Sequence, residues 1–94
     1  MPSILVRHKV ADFAVWHPVY TEHATMRKNS GEKGAHLYRN ADNPNDITIL
    51  FEWDTLENAR AFMASGDLRT AMQNAGVLEK PEITFLDDVE HTSF

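Results

Sequence analysis

The clearest pattern of hydrophobic and polar positions runs from Asp42 to Ser65. Residues 46–53 alternate, with Ile47, Ile49, Phe51 and Trp53 on one side and Thr48, Leu50 and Glu52 on the other. A period of two with β-branched and aromatic residues predicts a strand. The next four residues, Asp54-Thr-Leu-Glu57, resemble a capping box. Hydrophobic residues at helical spacing follow as far as Gly66, so an amphipathic helix is predicted there.

The N-terminal part predicts a strand and a long helix. Ser3 to Val10 alternates, which is typical of a strand, and its inward side would carry Ile4, Val6, His8 and Val10. Asp12 can cap the helix that follows. One stripe of that helix, at spacings of three and four, consists of Phe13, Trp16, Tyr20, His23 and Arg27. We expect Pro18 to kink this helix or to force a new start, because proline removes one backbone donor.

The remaining elements complete a simple order. A second strand is predicted from Ala35 to Asn40, a short helix from Asp67 to Ala75, and a last strand from Glu82 to Val89. The turn before the third strand is Asp42-Asn-Pro-Asn45. If its hairpin loop holds two or four residues, paired positions sum to an odd number. His36 and Tyr38 would then share the side of Phe51, and Leu37 would share the side of Leu50.

Strand, helix, strand, strand, helix, strand is the order of the ferredoxin-like arrangement. We therefore predict an α+β fold, βαββαβ, with a four-stranded antiparallel sheet and its helices on one face. The uncovered face would still carry one leucine per strand: Leu5, Leu37, Leu50 and Leu86. A face of mixed leucines and charges suits a sheet-to-sheet homodimer, which we predict. The alternative is an open face that its charges keep hydrated.

Composition narrows the function classes. The 94 residues are expected to form one domain, 1–94, and 43% hydrophobic content is ordinary for a globular protein. The net charge of −5 and the lack of a basic cluster argue against nucleic acid or an anionic membrane as partner. The chain has no cysteine, and its five histidines have no metal-ligand spacing, so no metal site is expected. Without a signal-peptide pattern, the cytoplasm is the expected location.

Several motifs together resemble the dimeric α/β-barrel superfamily, in particular its antibiotic biosynthesis monooxygenase-like branch. They are Val10-x-Asp-Phe-x-x-Trp16, Arg27-x3-Gly31, and Glu52-Trp53-Asp54 followed by Glu57-x-Ala59-x-x-Phe62-x-x-Ser65. The resemblance covers nearly the whole chain and implies the same fold and a dimer. The superfamily includes cofactor-free oxygenases and haem-degrading enzymes. The haem-ligating histidine of the latter would fall at Met72, so we expect no haem and no other cofactor.

The resemblance also implies a pocket between sheet and helices in each subunit. We name as candidate catalytic residues His23 and His36, because imidazole titrates near neutrality and can take a phenol or enol proton. The candidate substrate-binding residues are Trp16, Tyr20, Arg27, Tyr38, Phe51 and Trp53. Each of these side chains could equally serve the core alone, with its polar atoms satisfied by neighbours.

Two functions follow as hypotheses. The first is a homodimer that binds an aromatic or polyketide-like small molecule and acts as a cofactor-independent monooxygenase or cyclase. The second is a non-catalytic ligand-binding or stress-related dimeric barrel protein. The space between sheet and helices distinguishes them, because small-molecule pockets usually enclose about 300 Å³ or more.

Overall fold

The computed structural model describes residues 1–65 and 81–93. Its four strands are β1 (Ser3–Lys9), β2 (Glu32–Arg39), β3 (Asp46–Trp53) and β4 (Glu82–Leu86). Its three helices are α1 (Phe13–Glu22), α2 (Ala24–Ser30) and α3 (Leu56–Met63). None of the helices in this part of the chain has the length and apolar character needed to cross a membrane.

The strands form one antiparallel sheet in the order β2-β3-β1-β4. This order confirms the predicted ferredoxin-like α+β fold. The two central strands pair Ile4 with Phe51 and Val6 with Ile49. Their inward side chains form the buried core together with residues of the helices, and this core consists of Ile4, Val6, Val10, Trp16, Ile47, Ile49, Phe51, Trp53, Ala59 and Phe62. The helices therefore cover one face of the sheet, as predicted.

The register of β2 on β3 differs from the prediction. His36 pairs with Leu50 and Leu37 pairs with Ile49, so paired positions sum to an even number. The reason is that an odd number of residues connects Arg39 to Ile47, the last pair of the hairpin. A slip of one residue moves every side chain of a strand to the other face. The prediction that His36 and Tyr38 face the helices is therefore wrong, and so is the placement of Leu37 among the outward leucines.

A bulge at the start of β2 reverses the facing once more. Glu32 pairs with Trp53 whereas Gly34 pairs with Glu52, and the register shifts between them. An extra residue in one strand re-aims the side chain beside it. Glu32 consequently lies on the helix side of the sheet with Trp53, although the rest of β2 alternates in the opposite phase.

The helix boundaries refine the sequence prediction. Asp12 caps α1 as predicted, with its carboxylate accepting from the amide of Ala14 at 2.9 Å. Pro18 lies inside α1, and the interruption falls later, at His23 between α1 and α2. The cap of α3 is Thr55, whose hydroxyl accepts from the amide of Asn58 at 3.1 Å, so the predicted capping box of Asp54 and Glu57 is wrong.

The last predicted strand is shorter in the structure, and the last predicted helix cannot be compared with it. The last strand ends at Leu86 and not at Val89. The helix predicted from Asp67 to Ala75, including Met72, lies outside the described residues.

Gly31 allows the chain to turn from α2 into β2, and replacing it should destabilise the fold. Its φ of +122° is accessible to glycine but strained for other residues, and an added Cβ would lie 2.7 Å from Nε1 of Trp53 and also overlap Asp54. We expect Gly31→Ala to lower the free energy of unfolding by about 2 kcal/mol or more in urea titrations.

The matched control is Gly34→Ala in the next strand. An added Cβ there meets only Oε2 of Glu52, at 3.6 Å, which is ordinary contact. This variant should change stability by less than about 1 kcal/mol, and equal losses in the two variants would contradict the account of Gly31.

Candidate functional site

A small cavity lies between the helix side of the sheet and α1. It encloses about 70 Å³ and is open to the surface on one side. The strands contribute Val6, His8, Ile49, Phe51 and Ile83, and the rest of the lining is Trp16, Val19, Tyr20, His23, Arg27, Phe62, Met63 and Pro81. The lining is mainly apolar, with a few polar side chains among the aromatic ones. Small-molecule sites have this composition.

Aromatic rings form one wall of the cavity. Trp16 is buried and stacks on Tyr20, with ring centroids 5.1 Å apart and planes inclined by 23°. Tyr20 in turn lies 6.5 Å from Phe51 across the helix–sheet boundary. Trp16 and Tyr20 are four residues apart on α1, which places their rings on the same face of the helix. A flat aromatic ligand would find a complementary surface here.

Arg27 adds a buried cation to this wall. Its guanidinium lies 4.0 Å from the ring centre of Tyr20, and Nη1 donates to the carbonyl of Tyr20 at 2.6 Å. Nε donates to Oε1 of Glu32 at 3.1 Å, so the charge is paired within the protein. Burial raises the pKa of Glu32 in spite of this pairing, and burial likewise raises the pKa of Tyr20.

His23 lies at the break between α1 and α2, and one of its two ring nitrogens is held by a hydrogen bond to the helix backbone. Its Nδ1 is 2.8 Å from the carbonyl oxygen of Val19. A carbonyl can only accept, so the hydrogen bond requires a proton on Nδ1. In the neutral ring, Nε2 then carries the lone pair. His23 is thus a cavity residue whose second nitrogen can accept a proton.

His8 is the polar cavity residue that the sequence analysis did not name as a site. Its side chain is 7% exposed, and neither ring nitrogen has a hydrogen-bond partner among the described residues. Its ring forms a T-shaped contact with Trp16, with ring centroids 5.7 Å apart and planes inclined by 80°. Burial lowers its pKa to about 4, so the ring is neutral at pH 7. The burial of His8 could have been predicted from the sequence, because His8 shares the inward side of the first strand with Ile4, Val6 and Val10.

The predicted site residues divide into three groups. Trp16, Tyr20, His23, Arg27 and Phe51 line the cavity. Trp53 is fully buried beside Phe62, and its Nε1 donates to the carbonyl of Ser30 at 3.1 Å, so it belongs to the core next to the cavity.

His36 and Tyr38 form the third group, on the opposite face of the sheet. Their rings stack there with centroids 4.1 Å apart, and Tyr38 is 48% exposed. The predicted placement of both residues in the pocket is wrong, because the register of β2 turns them away from it.

The described residues contain no group of three or more histidine or carboxylate side chains that could hold a metal ion.

Comparisons with known proteins bear on the fold. No family model and no curated protein sequence matches the chain. Solved structures do match. A Bordetella bronchiseptica protein assigned as an antibiotic biosynthesis monooxygenase shares 18% identity at a TM-score of 0.80, over 95% of this chain and 97% of that one.

Two Streptomyces structures match similarly. SnoaB from Streptomyces nogalater, a cofactor-independent oxygenase, has 16% identity and a TM-score of 0.79, over 96% of this chain and 94% of its own. The ActVA-Orf6 monooxygenase of Streptomyces coelicolor, solved with nanaomycin D, has 17% identity and a TM-score of 0.71, over 98% of this chain and 90% of its own. The chain has the antibiotic biosynthesis monooxygenase fold. At these identities the likeness establishes that fold, and activity has to be argued from the site.

The buried imidazole of His8 predicts a pH dependence of stability. The unfolded chain takes up a proton at His8 near its ordinary pKa of 6.5, whereas the folded chain does so only near pH 4. Stability from this group is complete above about pH 6.5 and is lost as the pH falls towards 4, by up to about 3 kcal/mol. We expect chemical denaturation of His8→Leu to show a shallower loss over this range than the wild type.

The exposed His17 provides the matched control, since His17→Leu should keep the wild-type pH dependence. The comparison between variants is needed because the raised pKa of Glu32 acts with the opposite sign, giving stability that is lost as the pH rises. Parallel curves for the wild type and His8→Leu would contradict the burial of a neutral imidazole.

Proposed function

We propose that the protein is a cytoplasmic homodimer of the antibiotic biosynthesis monooxygenase kind, which oxidises a small hydroxylated aromatic compound with oxygen and without a cofactor. The observation that carries this proposal is the position of His23, which places a proton acceptor in an apolar cavity walled by Trp16, Tyr20 and Phe51. The fold supports the proposal, since SnoaB is a cofactor-independent oxygenase of the same fold.

In the proposed reaction, His23 removes a proton from the bound compound. The fixed proton on Nδ1 leaves Nε2 as the basic atom, and proton transfer to a positioned imidazole accelerates such steps by about 10²–10⁴-fold. The partial exposure of His23 allows the proton to pass on to water. The aromatic wall orients the ring of the compound, and N–H groups of Arg27 that have no acceptor among the described residues can donate to the anion that forms.

The oxygen chemistry balances without a further reductant. The electron-rich anion reduces oxygen directly and forms a carbon–oxygen bond with it. Conversion of a ring CH₂ to a carbonyl supplies four electrons, one oxygen atom enters the product, and the other leaves as water with the two protons of the CH₂ group. The side chains bind, orient and move protons, and the compound itself supplies the electrons.

The second subunit of the proposed dimer would cover the outward face of the sheet. Leu5, Leu50 and Leu86 lie on this face, and Leu5 is 36% exposed. The stacked pair of His36 and Tyr38 occupies the place predicted for Leu37. Cationic and anionic side chains flank the leucines: Arg7, Lys9, Glu52 and Glu82. A surface with both signs of charge around an apolar centre can complement a twofold-related copy of itself.

The volume of the cavity favours a second candidate function. About 70 Å³ is far below the usual size of a small-molecule site and about half that of an apolar cavity that takes up benzene. A non-catalytic dimer with a filled core would show such a volume. The catalytic proposal instead requires the ligand to enter edge-on and to displace a flexible side chain such as Met63, which lines the cavity.

Oxygen uptake with hydroxylated aromatic compounds as substrates separates the two functions. We expect His23→Gln to lower the rate by about 10²-fold or more, because the proton acceptor is lost while the side chain stays polar. His17→Gln, on the exposed side of α1, should retain the wild-type rate. If His23→Gln matched the wild type, the assignment of the base would fail. Absence of turnover over a panel of anthrones and naphthols would favour the non-catalytic function.

The proposed dimer has its own test in sedimentation velocity. Leu50→Asp places a charge in the centre of the outward face, and we expect a monomer or an insoluble chain, because an unpaired carboxylate cannot be buried there. The control is Val15→Asp, since Val15 is 58% exposed on α1 and away from the sheet. An unchanged dimer for Leu50→Asp would contradict the sheet-to-sheet packing.

A further inference from the structure

We infer that the cavity selects neutral hydroxyarenes, with the hydroxyl group of the ligand bound to the imidazole of His8. This inference rests on the proposed function, since it names the substrate class of the same cavity and the residue that recognises it. It assigns different work to the two imidazoles: His8 binds the ligand, and His23 moves the proton.

The surroundings of His8 are the first argument. The residue lies near the end of β1, pairs with the fully buried Ile47, and faces the cavity beside Val6 and Trp16. Its side chain is more than nine-tenths buried, yet both nitrogens lack a partner among the described residues. Buried polar side chains nearly always have hydrogen bonds, so an orphaned imidazole in a cavity wall points to a partner that is not part of the fold.

The chemistry of a neutral imidazole defines that partner. One ring nitrogen donates and the other accepts, so the ring can accept a hydrogen bond from a hydroxyl or donate one to its oxygen. A phenolic hydroxyl offers both possibilities on a flat apolar ring, which the wall of Trp16, Tyr20 and Phe51 can contact. A purely apolar arene would leave His8 unsatisfied, and this cost is the source of selectivity.

The charges of the cavity argue against an anionic ligand. The ionisable side chains in its lining are His8, Tyr20, His23 and Arg27. The charge of Arg27 is paired with Glu32, and its guanidinium lies over the ring of Tyr20. A carboxylate at His8 would therefore have to be buried next to a neutral ring and apolar residues, which is unfavourable. The ligand that fits His8 binds in its protonated form.

Three matched probes test this selectivity: phenol, toluene and benzoate. They differ at one substituent of the same ring, as hydroxyl, methyl and carboxylate. Binding would be followed by NMR titration of the isotope-labelled full-length protein, with the imidazole nitrogen signals of His8 observed directly. We expect phenol to bind about tenfold more tightly than toluene, to shift the His8 nitrogen signals, and to bind more tightly than benzoate.

Variants at His8 complete the test. His8→Phe should lose the preference for phenol, while His8→Gln, which keeps a donor and an acceptor, should retain part of it. The control His17→Phe makes the same change on the exposed side of α1 and should behave like the wild type. Equal affinity of the wild-type protein for phenol and toluene, or unchanged His8 nitrogen signals at saturating phenol, would overturn the inference whether or not His8→Phe folds.

The outcomes separate this inference from the proposed function. If phenol binds through His8 but no hydroxyarene consumes oxygen, the reaction assignment fails and the recognition by His8 stands. If hydroxyarenes are turned over with the loss expected for His23→Gln, but phenol and toluene bind equally, the function stands and the role of His8 is wrong. If none of the three probes binds in the cavity, the role of His8 is wrong, and oxygen uptake decides the proposed function separately.

Discussion

The structure depends on a single constraint, which is that successive residues of a strand face opposite sides of a sheet while the helices cover only one side. In the central strands β1 and β3, the pairs of Ile4 with Phe51 and Val6 with Ile49 fix this side for the whole molecule. Apart from His23, at the break between α1 and α2, and Pro81, the residues that line the cavity are on this inward side or on a helix above it. The same alternation that buries Ile4 and Val10 also buries His8, although none of residues 1–65 and 81–93 forms a hydrogen bond with its imidazole.

The sequence predicted the elements well where the pattern was local. The bounds of β3, the cap at Asp12 and the βαββαβ order all follow from periodicity and composition. Which side chains of β2 face the helices could not be predicted in the same way, because it depends on whether the loop between β2 and β3 contains an odd or an even number of residues. The loop is closed by side chains, with the amide of Asp42 donating to Asn40 and that of Asn45 donating to Asn43, and residues of this kind allow several loop lengths. One residue in that loop moved His36 and Tyr38 to the opposite face.

The candidate site shows the same division between local and long-range information. The aromatic wall could be predicted, because Trp16, Tyr20 and His23 follow helical spacing on one stripe. The ion-pair partner of Arg27 could not be predicted, because Glu32 faces Arg27 only as a result of the bulge at the start of β2. His8 was visible as an inward position, but its importance arises from its surroundings, in which the part of the chain that the structure describes offers neither ring nitrogen a hydrogen-bond partner.

Two features of these environments limit the charge in the cavity at neutral pH. Burial keeps His8 neutral, and Glu32 offsets Arg27. Oxygen and an uncharged arene can enter such a space at little cost, whereas an ionised compound loses its hydration. Once a proton has passed to His23 and from there to water, the deprotonated compound remains as an anion in this apolar space. Arg27 uses only two of its N–H donors within the described residues, so its guanidinium can stabilise this anion where it forms.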